Sequence, residues 1–391
     1  MRPLETLDLD RLTRTLRELK LDGWLLFDFH GINPVAKRLL AIEGLATRRL
    51  FVWLPAVGKP VAVAHKIELQ GLREFPGDLR PYAAWQELHA AVGALVKGKR
   101  VAVEYSPDDA VPYLDRVPAG VIELLRRLGA TVVSSAPLVS RFAAQWSPGE
   151  LADHRRAAEI LADIARGTLK EIGRRAGQVS EHQAQQEVLE KIGRAGLVTG
   201  DPPIVAFGAN AALPHYEPPR NGSAQLERDQ VVLLDLWAGC SLKTVFADQT
   251  WMAYSGPTPP TEVTKVWEAV RDARDRAVER LRQGLAAGER VAGRDLDAAA
   301  RSLLRERGYA DAFVHRTGHS IDIDLHGSGP HLDSFETDDD RELVPGIGFS
   351  VEPGVYLTGR FGVRSEINVA LLDAGPEVTP KIPQRDLIRP V

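Results

Sequence analysis

The sequence predicts an α+β protein of two domains, a smaller α/β domain followed by a larger α+β domain. The chain has 391 residues, and a domain commonly holds about 150. Helix-like and strand-like patterns alternate in the first part of the chain, as in α/β domains. Later, long helical patterns come first and strand-like patterns come last, which is typical of α+β domains. We expect the domains to span residues 1–146 and 147–391.

In the N-terminal domain, an amphipathic pattern predicts a helix over residues 9–20. Short runs rich in β-branched and aromatic residues predict strands at residues 24–27, 50–54, 61–64, 101–105 and 131–134. Further helical patterns occupy residues 83–96 and 120–128. The domain has no phosphate-binding glycine loop, and we interpret it as a scaffold or cap.

The C-terminal domain is predicted to begin with two capped helices. Ser147 and Glu150 form a capping box with Pro148 at the first helical position, and this helix continues to residue 174. Ser180 and Gln183 form a second capping box, before a helix that ends near residue 193 or 196. The remaining predictions are strands at 231–237 and 245–253, helices at 262–282 and 295–307, and strand-like sequence at 346–372.

Composition limits the classes of function. The net charge is −4, whereas nucleic-acid-binding proteins usually carry a basic excess, so we expect no nucleic-acid partner. Cys240 is the only cysteine, which excludes an intramolecular disulfide framework and fits a reducing compartment. Residues 1–20 are too charged for a secretory signal, and no apolar run approaches the ~18 residues of a membrane span. We therefore expect a cytoplasmic protein without a membrane partner.

Four acidic residues interrupt apolar, strand-like segments of the second half. They are Asp235 in VVLLDLWAG, Asp248 in VFADQTW, Glu352 in FSVEPGVY and Glu366 in FGVRSEINVAL. A buried carboxylate without a partner is costly, so each needs a metal, a cation or several hydrogen-bond donors. Taken singly, each aspartate could equally lie at an exposed strand end or in a hydrogen-bonded turn.

Three histidines, His315, His319 and His326, lie within 12 positions. The segment is not the HExxH of a zinc helix, because it contains Gly318 and lacks the glutamate. A lone histidine is usually structural, but three of them amid glycine and strand-like sequence favour a functional site.

Together, the acids and a histidine predict a dinuclear metal site. Four buried carboxylates would repel one another and resist ionisation, whereas two divalent cations would balance their charge. Oxygen-rich ligation with one imidazole favours Mn²⁺, with Co²⁺, Fe²⁺ and Zn²⁺ as alternatives. Two neighbouring cations would also generate a nucleophile from water at neutral pH, which suits amide hydrolysis.

These motifs resemble those of the pita-bread metallopeptidases, which include Xaa-Pro aminopeptidases, prolidases (Xaa-Pro dipeptidases) and methionine aminopeptidases, with creatinase as a metal-free relative. The resemblance covers essentially the whole chain, because an N-terminal domain is typical of the Xaa-Pro enzymes and creatinase. It implies a pita-bread catalytic domain preceded by a creatinase-type α/β domain, a short peptide substrate and a homodimer.

The resemblance also implies roles for the residues that match the family's motifs. The implied metal ligands are, in chain order, Asp235, Asp248, His319, Glu352 and Glu366. Glu352 would also serve in proton transfer. The histidines that would contact the substrate or the developing oxyanion are His215 and His326. The residues that would surround the ligands are His315 and Arg364.

Some positions depart from the family's pattern. The two aspartates are 13 residues apart, farther than is usual, so residues 238–243 carry an insertion. Trp237 stands where the family usually has glycine, which would place a bulky ring near the metals. Gly327 and Ile367 replace residues that are often acidic. No departure removes a ligand, but Trp237 and the inserted loop could reshape the substrate pocket.

The leading prediction is hydrolysis of Xaa-Pro dipeptides, as by a prolidase. The alternatives are an Xaa-Pro aminopeptidase acting on longer peptides and a peptidase of non-proline specificity. A creatinase-like metal-free hydrolase and a non-catalytic peptide-binding module are disfavoured because the full ligand set is present. A dipeptidase must bind the free carboxylate of its substrate, usually with an arginine, and the candidates are Arg316, Arg360 and Arg364.

Overall fold

The computed structural model describes residues 2–41 and 46–389. The chain divides into two compact units, which we call unit 1 (Met1–Ala143) and unit 2 (Ala144–Val391). None of the described helices combines the length and the apolar character that a membrane span requires. The boundary between residues 146 and 147 stays a prediction about where the two domains separate.

Unit 1 contains a mixed sheet flanked by helices. Its described strands are β1 (Gly23–Asp28), β2 (Leu50–Pro55), β3 (Val61–His65), β4 (Asp78–Tyr82), β5 (Arg100–Val103) and β6 (Thr131–Ser134). Its described helices are α1 (Leu9–Glu18), α2 (Pro34–Leu40), α3 (Trp85–Val96), α4 (Ala119–Arg127) and the short α5 (Ala136–Leu138). The strand order is β4-β3-β2-β1-β5-β6, with β1 antiparallel to β2 and parallel to β5.

Both faces of this sheet are covered. Side chains along β1 alternate between the two faces of the sheet. Trp24 and Leu26 join the core that contains Leu16 of α1. Leu25 and Phe27 join the opposite core, formed with α3 and α4. The strand is therefore apolar along its whole length, and unit 1 has the predicted α/β arrangement.

Three of these elements of unit 1 were not predicted, namely β4, α2 and the three-residue α5. β4 is largely polar and contains Pro81, but it lies at the edge of the sheet, where a residue without an N–H is tolerated. α2 is short, and its start depends on Asn33, whose side chain accepts hydrogen bonds from the N–H groups of Val35 and Ala36, with Pro34 at the first helical position.

Unit 2 contains long helices and several small antiparallel sheets. Its described helices are α6 (Pro148–Arg174), α7 (Glu181–Arg194), α8 (Thr261–Ala286) and α9 (Gly293–Glu306). Its described strands are β7 (Ile204–Phe207), β8 (Val231–Ala238), β9 (Ala247–Tyr254), β10 (Ser320–Ile321), β11 (Gly348–Val351), β12 (Gly354–Leu357), β13 (Phe361–Arg364), β14 (Ile367–Leu372) and β15 (Gly375–Thr379). They pair in the orders β7-β8-β9, β10-β11-β14-β15 and β12-β13.

The hairpin β8–β9 separates two hydrophobic cores of unit 2. Leu234 and Leu236 face the core formed with α6 and α7, whereas Leu233 faces the core formed with α8 and α9. Because side chains alternate along a strand, Asp235 projects to the same side as Leu233. We call this side of the hairpin the inner face.

Candidate metal centre

The inner face of the β8–β9 hairpin carries Asp235 and Asp248. Asp235 pairs with Thr250 and Asp248 with Trp237, and directly opposite residues of an antiparallel pair project to the same face. Both carboxylates are buried. Neither aspartate occupies the exposed strand end or turn that the sequence also allowed.

The neighbouring sheet brings the two glutamates to the same space. Glu352 follows β11 and Glu366 precedes β14. The side-chain oxygen of Asn368 on β14 accepts the backbone N–H of Asp248 at 2.9 Å. Thr250 Oγ1 lies 2.9 Å from Glu366 Oε2 and 3.1 Å from an Asp235 oxygen. Acids that are more than 100 residues apart therefore meet between β8–β9 and β11–β14.

His319 lies between two of these acids. Its Nε2 atom is 3.4 Å from Asp248 Oδ2 and 3.4 Å from Glu352 Oε1. Its Nδ1 atom lies 3.1 Å from the carbonyl oxygen of Ser320, which can only accept, so we assign a proton to Nδ1 and leave Nε2 to face the acids. Ser350 Oγ accepts the His319 backbone N–H at 2.9 Å and donates to Glu352 at 3.1 Å.

Burial and mutual repulsion oppose full ionisation of the acids. Burial, together with Asp248 and Glu352, raises the pKa of Asp235 to about 7 although Arg364 opposes the shift. Burial and the same neighbours raise the pKa of Glu366 well above its usual value. Without cations, Glu366 therefore holds a proton at neutral pH and Asp235 is partly protonated, since one arginine cannot balance the acids.

The residues present fit a divalent cation. Asp248, His319 and Glu366 each offer a ligand atom, and the three atoms lie within 4.8 Å of one another. Glu366 Oε1 is buried without any hydrogen-bond partner in the described part of the chain. Such an oxygen is costly unless a cation meets it, and carboxylates with one imidazole are donors that Mn²⁺ and similar ions accept.

His315 and Arg364 lie beside the ligand set and are joined through Tyr356. Arg364 forms a buried ion pair with Asp235, and its Nε donates to Thr250 Oγ1 at 2.8 Å. His315 Nε2 lies 2.8 Å from the Tyr356 hydroxyl, which is 3.5 Å from an Arg364 nitrogen. Arg364 therefore orients Asp235 directly, and His315 is linked to Arg364 through Tyr356.

The structure places His326 in contact with a predicted ligand. The His326 ring packs on the His319 ring at a centroid distance of 4.2 Å, with its other side exposed. Loss of solvent on the packed side and the nearby His319 lower the pKa of His326, so its imidazole is neutral at pH 7. His215 is exposed on the loop after β7 and, within the described residues, makes no hydrogen bond to a predicted ligand. Arg364 reaches that loop by donating to the Pro214 carbonyl at 3.3 Å.

The three arginines proposed for a substrate carboxylate differ in their surroundings. Arg364 is paired with Asp235, and the exposed Arg360 is paired with Glu262 at the start of α8. Arg316 is buried and near enough to His326 to contribute to lowering its pKa. Arg316 is therefore the candidate that lies near His326 and His319.

Sequence reasoning missed Asp297, which organises the segment before the predicted histidine ligand. This buried carboxylate on α9 accepts hydrogen bonds from the backbone and hydroxyl of Thr317, from the backbone and hydroxyl of Ser334, and from Arg301. Arg301 in turn donates to the His315 carbonyl. An aspartate and an arginine four residues apart on a helix usually form a surface pair, so no sequence pattern distinguished Asp297 and Arg301 from such a pair.

Comparison with known proteins decides the family. A sequence profile for metallopeptidase family M24 matches residues 152–373, more than half of the chain. The chain belongs to metallopeptidase family M24. It is therefore a member of a peptidase family whose relatives include dipeptidases and Xaa-Pro dipeptidases.

Two curated relatives of this M24 chain illustrate the likeness. It is 28% identical over 346 residues to the Mycobacterium tuberculosis protein named "Probable dipeptidase PepE", covering 86% of this chain and 85% of that protein. It is 30% identical over 235 residues to the Xaa-Pro dipeptidase of Pyrococcus furiosus, covering 60% of this chain and 62% of that protein.

Solved structures of M24 enzymes have the same fold. Dipeptidase PepE from Mycobacterium ulcerans matches with a TM-score of 0.76 at 22% identity, over 99% of this chain and 100% of that chain. Prolidase from Thermococcus sibiricus matches with a TM-score of 0.69 at 26% identity, over 97% and 98%. The predicted pita-bread catalytic domain with an N-terminal α/β domain is confirmed.

Proposed function

We propose that this M24 chain is a dinuclear metal-dependent dipeptidase that hydrolyses Xaa-Pro dipeptides. The observation that carries the proposal is the buried space where four acids and His319 face one another and Glu366 Oε1 has no partner among the described residues. Dipeptide hydrolysis is supported by the likeness to "Probable dipeptidase PepE" over most of the chain. Proline in the second position is supported by the shorter match to an Xaa-Pro dipeptidase.

The residues that would hold two cations are Asp235, Asp248, His319, Glu352 and Glu366. When bound, the cations supply a nucleophile from water at neutral pH and polarise the peptide carbonyl. We propose Mn²⁺ as the metal, with Co²⁺, Fe²⁺ and Zn²⁺ as alternatives, because oxygen donors predominate. Arg364 and Thr250 keep Asp235 oriented toward the cluster.

The remaining steps use side chains of the chain itself. Glu352 accepts a proton and delivers it to the leaving nitrogen. Although burial opposes it, His319 and His315 hold the pKa of Glu352 below its usual value, so this carboxylate is ionised and able to accept. The neutral His326 donates an N–H to the developing negative charge on the carbonyl oxygen, with His215 as the second candidate donor.

A dipeptidase without a proline requirement is the second candidate function. The match that covers most of the chain is to a protein whose name specifies no proline. Trp237 also stands at a position where the sequence resemblance leads us to expect glycine. Both observations bear on specificity and leave the metal chemistry unchanged.

A hydrolysis assay with Mn²⁺ tests the proposal. It compares the dipeptide Ala-Pro, the tripeptide Ala-Pro-Ala and the control Ala-Ala, with metal content measured on the same preparation. We expect cleavage of Ala-Pro alone. Cleavage of the tripeptide alone would make the protein an aminopeptidase. Cleavage of Ala-Ala, with or without Ala-Pro, would support the second candidate. A metal-loaded protein inactive on all three would contradict both functions.

We also propose that the chain forms a homodimer, works in the cytoplasm and divides into domains at residues 146 and 147. Light scattering during size-exclusion chromatography measures the mass in solution, and a monomer would contradict the first proposal. Fractionation of the source cells tests the second. Limited proteolysis followed by mass spectrometry tests the third, with cleavage expected near residue 146.

A further inference from the structure

Trp237 lies next to the predicted ligands on the inner face of β8. It pairs directly with Asp248 across the hairpin, and such opposite residues have Cβ atoms about 4.5–5.5 Å apart. It is also two residues from Asp235 on the same strand, so the three side chains share one face. The pairing of β7 with β8 stops at Asp235, so Trp237 has no partner residue in β7.

The Trp237 ring is not used to build the protein interior. The side chain is half-buried, and the two cores of unit 2, as described, do not include it. Large aromatic side chains are usually buried in a hydrophobic core, because each removes about 150–250 Å² of surface from water. A partly exposed tryptophan beside a buried acidic cluster therefore has aromatic surface left for a ligand.

The indole N–H of Trp237 is also available. The other tryptophans of unit 2 donate to protein acceptors: Trp146 to the Ile321 carbonyl at 2.7 Å, Trp251 to Gln249 at 2.8 Å and Trp267 to the Arg385 carbonyl at 3.1 Å. Among the described residues, no acceptor is found for the N–H of Trp237. Trp237 thus offers both an aromatic ring face and a hydrogen-bond donor beside the predicted ligands.

We propose that Trp237 determines specificity for the first residue of the substrate, an inference that rests on the proposed dipeptidase function. The ammonium group of that residue is attracted to the acids, and its carbonyl is the group attacked. Its side chain must therefore lie against neighbours of the cluster, and Trp237 is the cross-strand neighbour of Asp248. The ring takes space that glycine would leave open, which favours small first residues.

Trp237→Gly and Trp237→Phe test this inference. The measured quantity is the ratio of kcat/KM for Phe-Pro to kcat/KM for Gly-Pro. We expect Trp237→Gly to raise this ratio by about 10–200-fold, the range for a change in fit within an apolar pocket. Trp237→Phe keeps most of the ring and should give an intermediate ratio. Loss of its N–H should lower kcat/KM on both substrates by about 2–10-fold, as for one hydrogen bond.

Trp251→Phe is the matched control. Trp251 lies on the same hairpin but belongs to the core on the opposite face, formed with α6 and α7. We expect this variant to leave the selectivity ratio unchanged. A second readout follows tryptophan fluorescence while the chelated protein is titrated with Gly-Pro, and the change expected for the wild type should be absent in Trp237→Phe.

The outcomes separate this inference from the proposed function. A wild-type protein that cleaves no dipeptide would contradict the function itself. If the wild type cleaves dipeptides but both Trp237 variants keep its ratio within twofold, the specificity role is wrong. A changed preference for the second residue, with the first-residue ratio unaltered, would also overturn the assignment. If Trp237→Gly fails to fold, the ratio of Trp237→Phe and its fluorescence decide.

Discussion

Both units bury carboxylates, but the acids of the metal centre in unit 2, unlike Glu104 in unit 1, outnumber the hydrogen-bond donors around them. In unit 1, Glu104 accepts from Trp24 Nε1 at 2.5 Å, from Asn33 Nδ2 at 2.8 Å and from Ser135 Oγ at 3.1 Å. In unit 2, four acids share one space, and Glu366 Oε1 has no donor among the described residues. Burial of a carboxylate therefore does not by itself identify a functional site.

The number of partners is what distinguishes the two regions. A carboxylate whose oxygens are met by fixed donors holds the fold together, as Glu104 does by linking β1, the start of α2 and the end of β6. A group of acids that exceeds its donors needs something from outside the chain. The following predictions test this distinction, starting with the largest expected effect.

Asp248→Ala should abolish both metal binding and activity. The side chain offers one of three ligand atoms, with those of His319 and Glu366, that lie within 4.8 Å of one another, and alanine offers none. Elemental analysis of the purified variant measures the metal, and the Ala-Pro assay measures the activity. Glu104→Gln is the matched control, because it alters a buried acid that already has donors. A fully metal-loaded Asp248→Ala protein would contradict the ligand assignment.

His326→Ala should lower kcat by ~10²–10³ while metal content stays at the wild-type level. The neutral ring of His326 lies beside His319 and is proposed to donate a hydrogen bond to the developing oxyanion. It does not balance the charge of the metal ions, so its loss should leave metal binding intact. His215→Ala is measured alongside as the second candidate donor. If both variants keep the wild-type kcat, the proposed donor role is wrong.

Asp297→Asn should weaken metal binding or activity by about 10–100-fold, as is common for groups that orient ligands from outside the first layer of contacts. The amide cannot accept all the hydrogen bonds from Thr317, Ser334 and Arg301, so the segment before His319 loses its fixed geometry. Competition with a chelator of known affinity measures the change. An unaltered metal affinity and kcat would show that the segment is held by other contacts.

The two regions also differ in how far sequence could reveal them. The strand acids were visible because each interrupts an apolar run, and alternation along β8 explains why Asp235 turns toward the inner face. Asp297 and Glu104 were not singled out, because their partners are distant in sequence: Glu104 is 71 residues from Asn33 and 80 from Trp24. Local patterns predict elements, whereas hydrogen-bond partners depend on the tertiary fold.

Glu104→Ala and Glu366→Gln should change stability differently in the chelated protein. Removing Glu104 leaves buried donors on Trp24, Asn33 and Ser135 unsatisfied, which should cost about 1–3 kcal/mol in the free energy of unfolding. Glu366→Gln removes an acid from a crowded cluster and should leave that free energy unchanged or raise it. Chemical denaturation of the full chain measures both, and a loss of stability in Glu366→Gln would contradict the excess of acid.

The smallest expected effect is a dependence of stability on pH through Glu104. Burial raises the pKa of Glu104 to about 7, against the opposing hydrogen bonds from Trp24, Asn33 and Ser135. The folded state binds the proton of Glu104 more tightly than the unfolded state does. The resulting contribution to the free energy of unfolding is therefore fully present below about pH 4.5 and declines as the pH rises toward about 7. The decline should not exceed about 1.4 kcal/mol per pH unit.

Glu104→Gln isolates this contribution, since an amide does not titrate. The difference in unfolding free energy between the wild type and Glu104→Gln should fall between pH 5 and pH 7, on the order of the slope expected for one proton. Both proteins are measured with chelator, so that the acids of unit 2 contribute equally to each. A difference that is constant over this range would mean that the donors keep Glu104 ionised in the folded state, and unit 1 would then bury a charge that its three hydrogen bonds fully stabilise.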